Sequence, residues 1–123
     1  MRKIIIGLAA TGLLLAGTVA TAGTANAAGT RCGDWSTSEP LLKYGATGDT
    51  VRELQCELNY SLNPDVFGKT TVDGVFGDDT LRRVRIFQNC MPNLQVDGQV
   101  GPQTWGQLDW WSSKDAYPNC SAG

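Results

Sequence analysis

The chain has 123 residues, of which 41% are hydrophobic and 18% charged, with a net charge of −2 at pH 7. An acidic chain has little attraction for a phosphate backbone, so this balance argues against nucleic acid as a partner. The sequence contains no histidine, which excludes a Ser-His-Asp triad, a Cys-His pair and an H-E-x-x-H zinc site.

The N-terminus has the pattern of a secretory signal peptide. A positive pair, Arg2 and Lys3, precedes an apolar run and the small-x-small cleavage site at residues 25–27. The alternative is a membrane anchor, but the apolar run is shorter than the roughly 20 residues that a span needs. We therefore expect residues 28–123 to be exported to the cell wall or the medium, with no membrane attachment after cleavage.

Export would leave 96 residues, with 8 basic and 12 acidic side chains and a net charge of −4. That length suits one small domain with a modest core. Composition divides the chain into four parts: a signal peptide at 1–27, an irregular lead-in rich in Gly, Ser, Thr and Pro at 28–41, a domain at 42–108, and a tail containing Cys and Trp at 109–123.

Four cysteines follow the cleavage site: Cys32, Cys56, Cys90 and Cys120. An even number in a small exported chain indicates two disulfides. The alternative is a metal site, which needs clustered spacings such as C-x-x-C; the gaps here are 24, 34 and 30 positions. We therefore expect no bound metal and no other cofactor.

A first helix is predicted at residues 49–60. Its apolar side chains recur at i, i+3 and i+7 and would form one face: Val51, Leu54 and Leu58. Thr50 and Glu53 have the spacing of a capping box at the start of this helix. Residues 61–72 contain proline and glycine that interrupt the apolar pattern, so we predict a loop there.

Two further helices are predicted, at residues 78–91 and 102–108. Pro92 would end the earlier one, because proline disfavours the helical conformation in the residue before it. Pro102 suits the first position of the later one. The expected fold class is all-α, a small three-helix bundle with irregular extensions tied by disulfides.

The helical wheel also bears on the disulfide pairing. Cys56 lies on the face of the first helix opposite its apolar residues. It should therefore meet a terminal extension rather than another helix. This favours the pairs Cys32–Cys56 and Cys90–Cys120.

A nine-residue segment occurs twice, at 72–80 and at 96–104, with the pattern V-D-G-x-x-G-x-x-T. In each copy Asp-Gly signals a turn, the next glycine precedes a helix, and the threonine falls in its first turn. We expect Asp73 and Asp97 to hydrogen-bond their own turns. The alternative is a glycosidase acid, but nothing in the sequence places the two in one cleft.

These motifs follow one another in a specific order: G-x-x-G-D-x-V-x-x-L-Q-x-x-L-N from 45, V-D-G-x-F-G-x-x-T from 72, V-x-x-F-Q from 84 and V-D-G-x-V-G-P-x-T-W from 96. The order resembles the three-helix, type-1 peptidoglycan-binding domain from Leu42 to Leu108. The resemblance implies a helical module without catalytic activity that holds a cell-wall hydrolase on its substrate. Residues 60–71 and the cysteine-bearing tails depart from the family pattern.

We expect binding through a shallow groove that takes a peptidoglycan glycan or stem peptide. The expected binding residues are Tyr44, Asp73, Gly74, Phe76, Gly77, Thr80, Thr104 and Trp105. Aromatic rings could stack on sugars, and a helix N-terminus could receive a stem-peptide carboxylate. The helix that starts at Pro102 is the better anion candidate, because it has no acid in its first turn. Alanine at Trp105 or Tyr44 should then weaken binding and leave the helix content unchanged.

The expected function is non-catalytic binding of cell-wall peptidoglycan by a secreted module, with a separate cell-wall hydrolase as a candidate partner. One alternative is an exported protein-interaction module, an inhibitor or signal, on the same scaffold. Another is a small wall hydrolase that uses carboxylates alone. A test for reducing sugar or free amines released from wall would identify the hydrolase.

Overall fold

A computed structural model describes residues 30–120. A 3-10 turn at Thr30–Cys32 precedes four α-helices: α1 at Asp49–Ser61, α2 at Pro64–Phe67, α3 at Asp78–Cys90 and α4 at Pro102–Ser112. The predicted all-α class and small helical bundle are confirmed. The predicted signal peptide and its cleavage site lie outside the described residues. Between residues 30 and 120, no helix is both long and apolar enough to cross a membrane.

Helix α1 is the centre of the bundle and contacts α3, α4 and the 3-10 turn. Its predicted apolar face is buried, with Val51, Leu54 and Leu58 at most 1% exposed. The hydrophobic core of the described residues contains side chains from every long helix, from the segment before α1 and from the segments between the helices: Leu42, Val51, Leu54, Leu58, Leu62, Phe76, Val84, Phe87, Met91, Val100, Trp105 and Leu108.

The predicted capping box at the start of α1 is wrong. Gly48 occupies the N-cap position, and no side chain caps the helix. Glu53 is 3% exposed and turns into the protein instead of reaching back to the helix start. Tertiary packing of this glutamate therefore outweighs the local capping pattern.

Two predicted element boundaries are also corrected. Within the predicted loop, Pro64–Phe67 forms one helical turn, capped by Asn63 Oδ1, which accepts the Asp65 N–H at 2.9 Å. An asparagine cap followed by proline is a helix-start signal, and it applies here despite the short length. Helix α4 runs to Ser112 and not only to the predicted Leu108. No proline or glycine interrupts it there, and Trp111 packs against the core.

The two disulfides join Cys32 to Cys56 and Cys90 to Cys120. The first ties the N-terminal extension to the middle of α1, and the second ties the C-terminal segment to the end of α3. These are the pairs that the helical wheel of α1 favours.

Serine at both Cys90 and Cys120 is expected to lower the free energy of unfolding by about 2–4 kcal/mol, because the unfolded chain regains freedom that the bond removes. Alanine at Cys32 and Cys56 is expected to cost more, since Cys32 is fully buried and its loss also leaves a cavity. Urea unfolding of the oxidised variants measures both values. Equal losses for the two pairs would contradict the contribution of Cys32 to packing.

Residues 42–48 run beside both Asp-Gly turns. Leu42 forms an antiparallel bridge with Val100, and Thr47 forms one with Val75. The N–H of Val100 donates to the carbonyl of Leu42 at 2.8 Å, and the reverse bond is 3.1 Å. This segment therefore places Tyr44 between the two copies of the repeat.

Candidate functional site

Each aspartate of the repeat holds its own turn, as predicted. Asp73 Oδ1 accepts the N–H of Val75 at 3.0 Å, and Asp97 Oδ1 accepts the N–H of Gln99 at 2.9 Å. The bond from the Val75 N–H, followed by one from Gln55, lowers the pKa of Asp73. The glycine after each aspartate has a positive φ, 78° at Gly74 and 75° at Gly98, a region that disfavours other residues.

A buried glutamine organises the first turn. Gln55 Nε2 donates to Asp73 Oδ1 at 2.9 Å, to the carbonyl of Val75 at 3.0 Å and to Thr80 Oγ1 at 3.1 Å. Its Oε1 accepts the N–H of Gly74 at 2.9 Å. One amide on α1 therefore fixes both the turn and the first residues of α3.

Gln88 on α3 makes the same set of bonds in the second turn. Its Nε2 donates to Asp97 Oδ1 at 3.0 Å, to the carbonyl of Gln99 at 2.7 Å and to Thr104 Oγ1 at 3.3 Å. Its Oε1 accepts the N–H of Gly98 at 3.0 Å. The repeat thus extends beyond the nine-residue motif to a partner on the preceding long helix.

The sequence indicates internal partners for these two glutamines, although both lie outside the nine-residue repeat. Gln55 follows Leu54 on α1, and Gln88 follows Phe87 on α3. Both glutamines are 1% exposed. A buried amide must be hydrogen-bonded, so a glutamine beside the apolar stripe of each helix indicates an internal polar partner.

Two surface grooves lie at equivalent places in the repeat. The first has a volume of about 240 Å³ and is lined by Gln55, Thr70, Thr71, Asp73, Val75, Gly77, Asp78, Asp79 and Thr80. The second has a volume of about 310 Å³ and is lined by Leu41, Leu94, Gln95, Asp97, Gln99, Gly101, Pro102, Gln103 and Thr104. Each groove therefore reaches from an Asp-Gly turn to the N-terminus of the following helix.

The two grooves differ in charge at the helix start. The first has Asp78 and Asp79 there, whereas the second has Pro102 and Gln103. Burial opposes ionisation of Asp79, but hydrogen bonds from Thr70 at 2.5 Å and Arg83 at 2.9 Å outweigh it, so the pKa of Asp79 is lowered. The N-terminus of α3 therefore already has acidic side chains that complement the helix dipole, whereas the N-terminus of α4 has none.

The predicted binding residues fall into two groups. Tyr44 is 57% exposed, Asp73 is exposed and Gly77 is partly exposed. The others are buried: Gly74, Phe76, Thr80, Thr104 and Trp105. The two threonines border the grooves, but Phe76 and Trp105 are each 1% exposed. These two rings pack in the core, so neither is placed to contact a ligand directly.

A third groove, of about 420 Å³, is aromatic and lies beside the second disulfide. It is lined by Cys90, Met91, Pro92, Gly106, Gln107, Trp110, Trp111, Pro118 and Asn119. Trp110 is 51% exposed and meets Trp111 edge to face, with ring centroids 4.8 Å apart. Lys114 Nζ lies 4.6 Å from the centroid of the Trp110 ring.

A comparison with protein families matches residues 47–108 to the family described as "Putative peptidoglycan binding domain". Among solved structures, the N-terminal domain of SleB is 38% identical with a TM-score of 0.53; the match covers 63% of this chain and 97% of that one.

Curated relatives of two kinds are similar to this chain. An uncharacterised protein of the bpoA1 3′ region of Kitasatospora aureofaciens is 48% identical over 106 residues, which is 81% of this chain and 84% of that protein. The spore cortex-lytic enzymes of Halalkalibacterium halodurans and Bacillus subtilis are 40% and 45% identical over 58% and 54% of this chain. The chain spans only 20% and 21% of those two enzymes.

Proposed function

The chain belongs to the peptidoglycan-binding domain family, and from this premise we propose that it attaches non-covalently to cell-wall peptidoglycan and does not cleave it. The observation that supports the proposal most directly is the second groove. There the N-terminus of α4, which has no acidic residue in its first turn, lies between the turn of Asp97 and the exposed side chain of Leu41. The first-turn N–H groups of a helix have no partner within the helix and favour an anion.

The second groove combines three kinds of contact. Gly101 caps α4 without a side-chain hydrogen bond, so the backbone donors of the first turn remain available to a stem-peptide carboxylate. Leu41 is 60% exposed on the rim and can cover the apolar face of a sugar or an alanine methyl group. Tyr44 lies two residues after Leu42, on the segment that runs beside both turns.

The first groove is a poorer anion site. Asp73, Asp78 and Asp79 all line it, and the latter two already complement the dipole of α3. A ligand there would have to hydrogen-bond as a neutral or cationic group. We therefore place the stem-peptide carboxylate at α4 and leave the first groove to amide or hydroxyl groups.

The arrangement of carboxylates favours binding over hydrolysis. A glycosidase needs two carboxyl groups that flank a sugar-binding cleft, about 5–10 Å apart. The described chain does gather Glu39, Glu57 and Asp109 with carboxylate oxygens within 4.8 Å of one another. However, Glu57 is fully buried, and this group borders none of the three grooves described above.

Glutamate at Gln103 is expected to reduce retention on peptidoglycan by about 3–10-fold at low salt, because it places a negative charge at the start of α4. The same change favours the helix itself, so the fold should remain intact. The measurement is co-sedimentation with insoluble purified peptidoglycan, with chitin and cellulose as control polymers.

The matched control is Gln107→Glu, which adds the same charge one turn later, beside the aromatic groove. Retention unchanged by Q107E and reduced by Q103E supports the second groove. The reverse result would move the site to the aromatic groove. A folded chain that stays in the supernatant with all three polymers would contradict the proposal and favour the protein-interaction module, which a pull-down from secreted proteins would then test.

We further propose that residues 1–27 direct export, that the chain is cell-wall associated, and that the binding unit starts at Leu42. The bridge between Leu42 and Val100 supports that start, and it holds Leu41, the residue just before the unit, on the rim of the second groove. The lytic-enzyme relatives support a hydrolase as a second partner on the same polymer. Detection of a mature chain beginning at Ala28 in the culture medium or wall fraction tests the export.

A further inference from the structure

An acidic cluster lies away from the grooves, between α1, α4 and the N-terminal extension. It contains all three glutamates of the sequence together with Asp109. Glu53 and Glu57 are one turn apart on α1, Asp109 is on α4, and Glu39 is on the extension. Carboxylate oxygens of Glu39, Glu57 and Asp109 all lie within 4.8 Å of one another.

Two members of this cluster are buried without enough hydrogen-bond donors. Glu57 is 0% exposed and Glu53 is 3% exposed. Glu57 Oε1 accepts the hydroxyl of Ser112 at 3.3 Å. Glu57 Oε2 and Glu53 Oε1, in contrast, have no partner among residues 30–120.

No basic side chain in the described part of the chain neutralises this cluster. The ion pairs found there link arginines to aspartates elsewhere: Asp49, Asp79 and Asp115. Glu53 lies one helical turn before Glu57 on the same side of α1, and its Oε1 is buried without a partner in the described residues. A buried carboxylate oxygen in this position needs either a proton or a cation.

We propose that Glu39, Glu57 and Asp109 bind one hard divalent cation of the Ca²⁺ or Mg²⁺ class. The donor atoms are all oxygens, which these ions prefer over softer metals. Two ligands on opposite sides of a Ca²⁺ ion, each about 2.4 Å from it, lie about 4.8 Å apart. The spacing of the three carboxylates is therefore compatible with a shared ion.

The scaffold brings the three ligands together from different parts of the chain. The indole N–H of Trp105 donates to the carbonyl of Pro40 at 2.8 Å and so holds the residue next to Glu39. The disulfide of Cys56 fixes the extension beside Glu57. Since Glu39 is exposed, it offers a route by which the ion can enter. A bound cation would connect α1, α4 and the extension independently of wall binding.

Isothermal titration calorimetry of the oxidised chain at pH 7.5, after treatment with chelator, tests the proposal in separate CaCl₂ and MgCl₂ arms. One saturable site and a rise in Tm with at least one cation are expected. Asp109→Asn and Glu39→Gln should each weaken binding at least 10-fold, while Asp34→Asn, an exposed acid outside the cluster, should bind as the unmodified chain does.

Glu39→Gln keeps the test valid if a change at a more buried position disturbs folding, because its side chain lies on the exposed extension. Two results would overturn the proposal. One is the absence of binding heat and of a Tm change in both cation arms, which would leave protons alone to neutralise the cluster. The other is binding that persists in both cluster variants.

Discussion

Alanine at Trp105 is expected to lower the free energy of unfolding by about 3–5 kcal/mol, the range for removing a large aromatic side chain from a core. Trp105 is 1% exposed and packs in the hydrophobic core. The substitution also removes the hydrogen bond to the carbonyl of Pro40. A loss of this size is a large fraction of the stability of a small domain, so partial unfolding at 37 °C is also expected.

Urea unfolding followed by far-UV circular dichroism measures this loss, and two variants separate its causes. Phenylalanine at Trp105 retains much of the ring volume but not the indole N–H, so it should cost less than alanine. Alanine at Trp110, which is 51% exposed on the same helix, should change the unfolding free energy by about 0.5 kcal/mol or less. Equal stabilities of W105A and W110A would contradict the core position of Trp105.

This expectation replaces the idea, drawn from sequence, that W105A weakens binding with the helices unchanged. Sequence reasoning could place Trp105 on a helix beside Leu108, but it could not tell whether the ring points to a ligand or to the core. The deciding contact is with Pro40, 65 positions earlier, and helical periodicity contains no information on such a pairing. Tyr44 stays a binding prediction, since the ring is exposed.

Most parts of the fold that depend on local sequence were predictable, apart from the short helix α2 and the capping of α1. The apolar period of residues 49–60 identified α1, and the Asp-Gly-x-x-Gly repeat identified both turns and both helix starts. The bonds from Asp73 and Asp97 to their own turns followed from the short reach of the aspartate side chain. These features require only residues within a few positions of one another.

Burial of polar residues was not predictable in the same way. The spacing from Thr50 makes Glu53 resemble a capping residue. The helical wheel places Glu57 outside the apolar stripe of α1. Their burial depends on α4 and the N-terminal extension, which pack over that side of α1. For Gln55 and Gln88 the limit is narrower: their positions beside the apolar stripes indicate an internal polar partner, but the turn that each one holds lies 18 and 9 positions later.

Stability is expected to fall as pH rises from 5 to 8 in the presence of a chelator. Burial, followed by the charge of Asp109, raises the pKa of Glu57 from 4.5 to about 10, and burial raises the pKa of Glu53 to about 8. Above pH 4.5 the unfolded chain releases these protons, whereas the folded chain retains them. The unfolded state then binds fewer protons, so increasing pH favours unfolding.

The slope from Glu57 alone is about 1.4 kcal/mol per pH unit, or on the order of 4 kcal/mol between pH 5 and pH 8. Asp73 and Asp79 act in the opposite direction, because their pKa values are lowered from 3.8. Their contribution is present above pH 3.8 and is lost as pH falls through their folded pKa values. Maximum stability is therefore expected near pH 4–5.

Glutamine at Glu57 is expected to flatten this dependence and to raise the unfolding free energy at pH 8, because an amide has the shape of the protonated acid and never ionises. Asp65→Asn, at an exposed position on α2, should leave the slope unchanged. The measurement is urea unfolding from pH 4 to pH 9 with chelator, which removes any contribution from a bound cation. A slope in E57Q equal to that of the unmodified chain would show that Glu57 is already ionised in the folded state, which requires a positive neighbour that residues 30–120 do not provide.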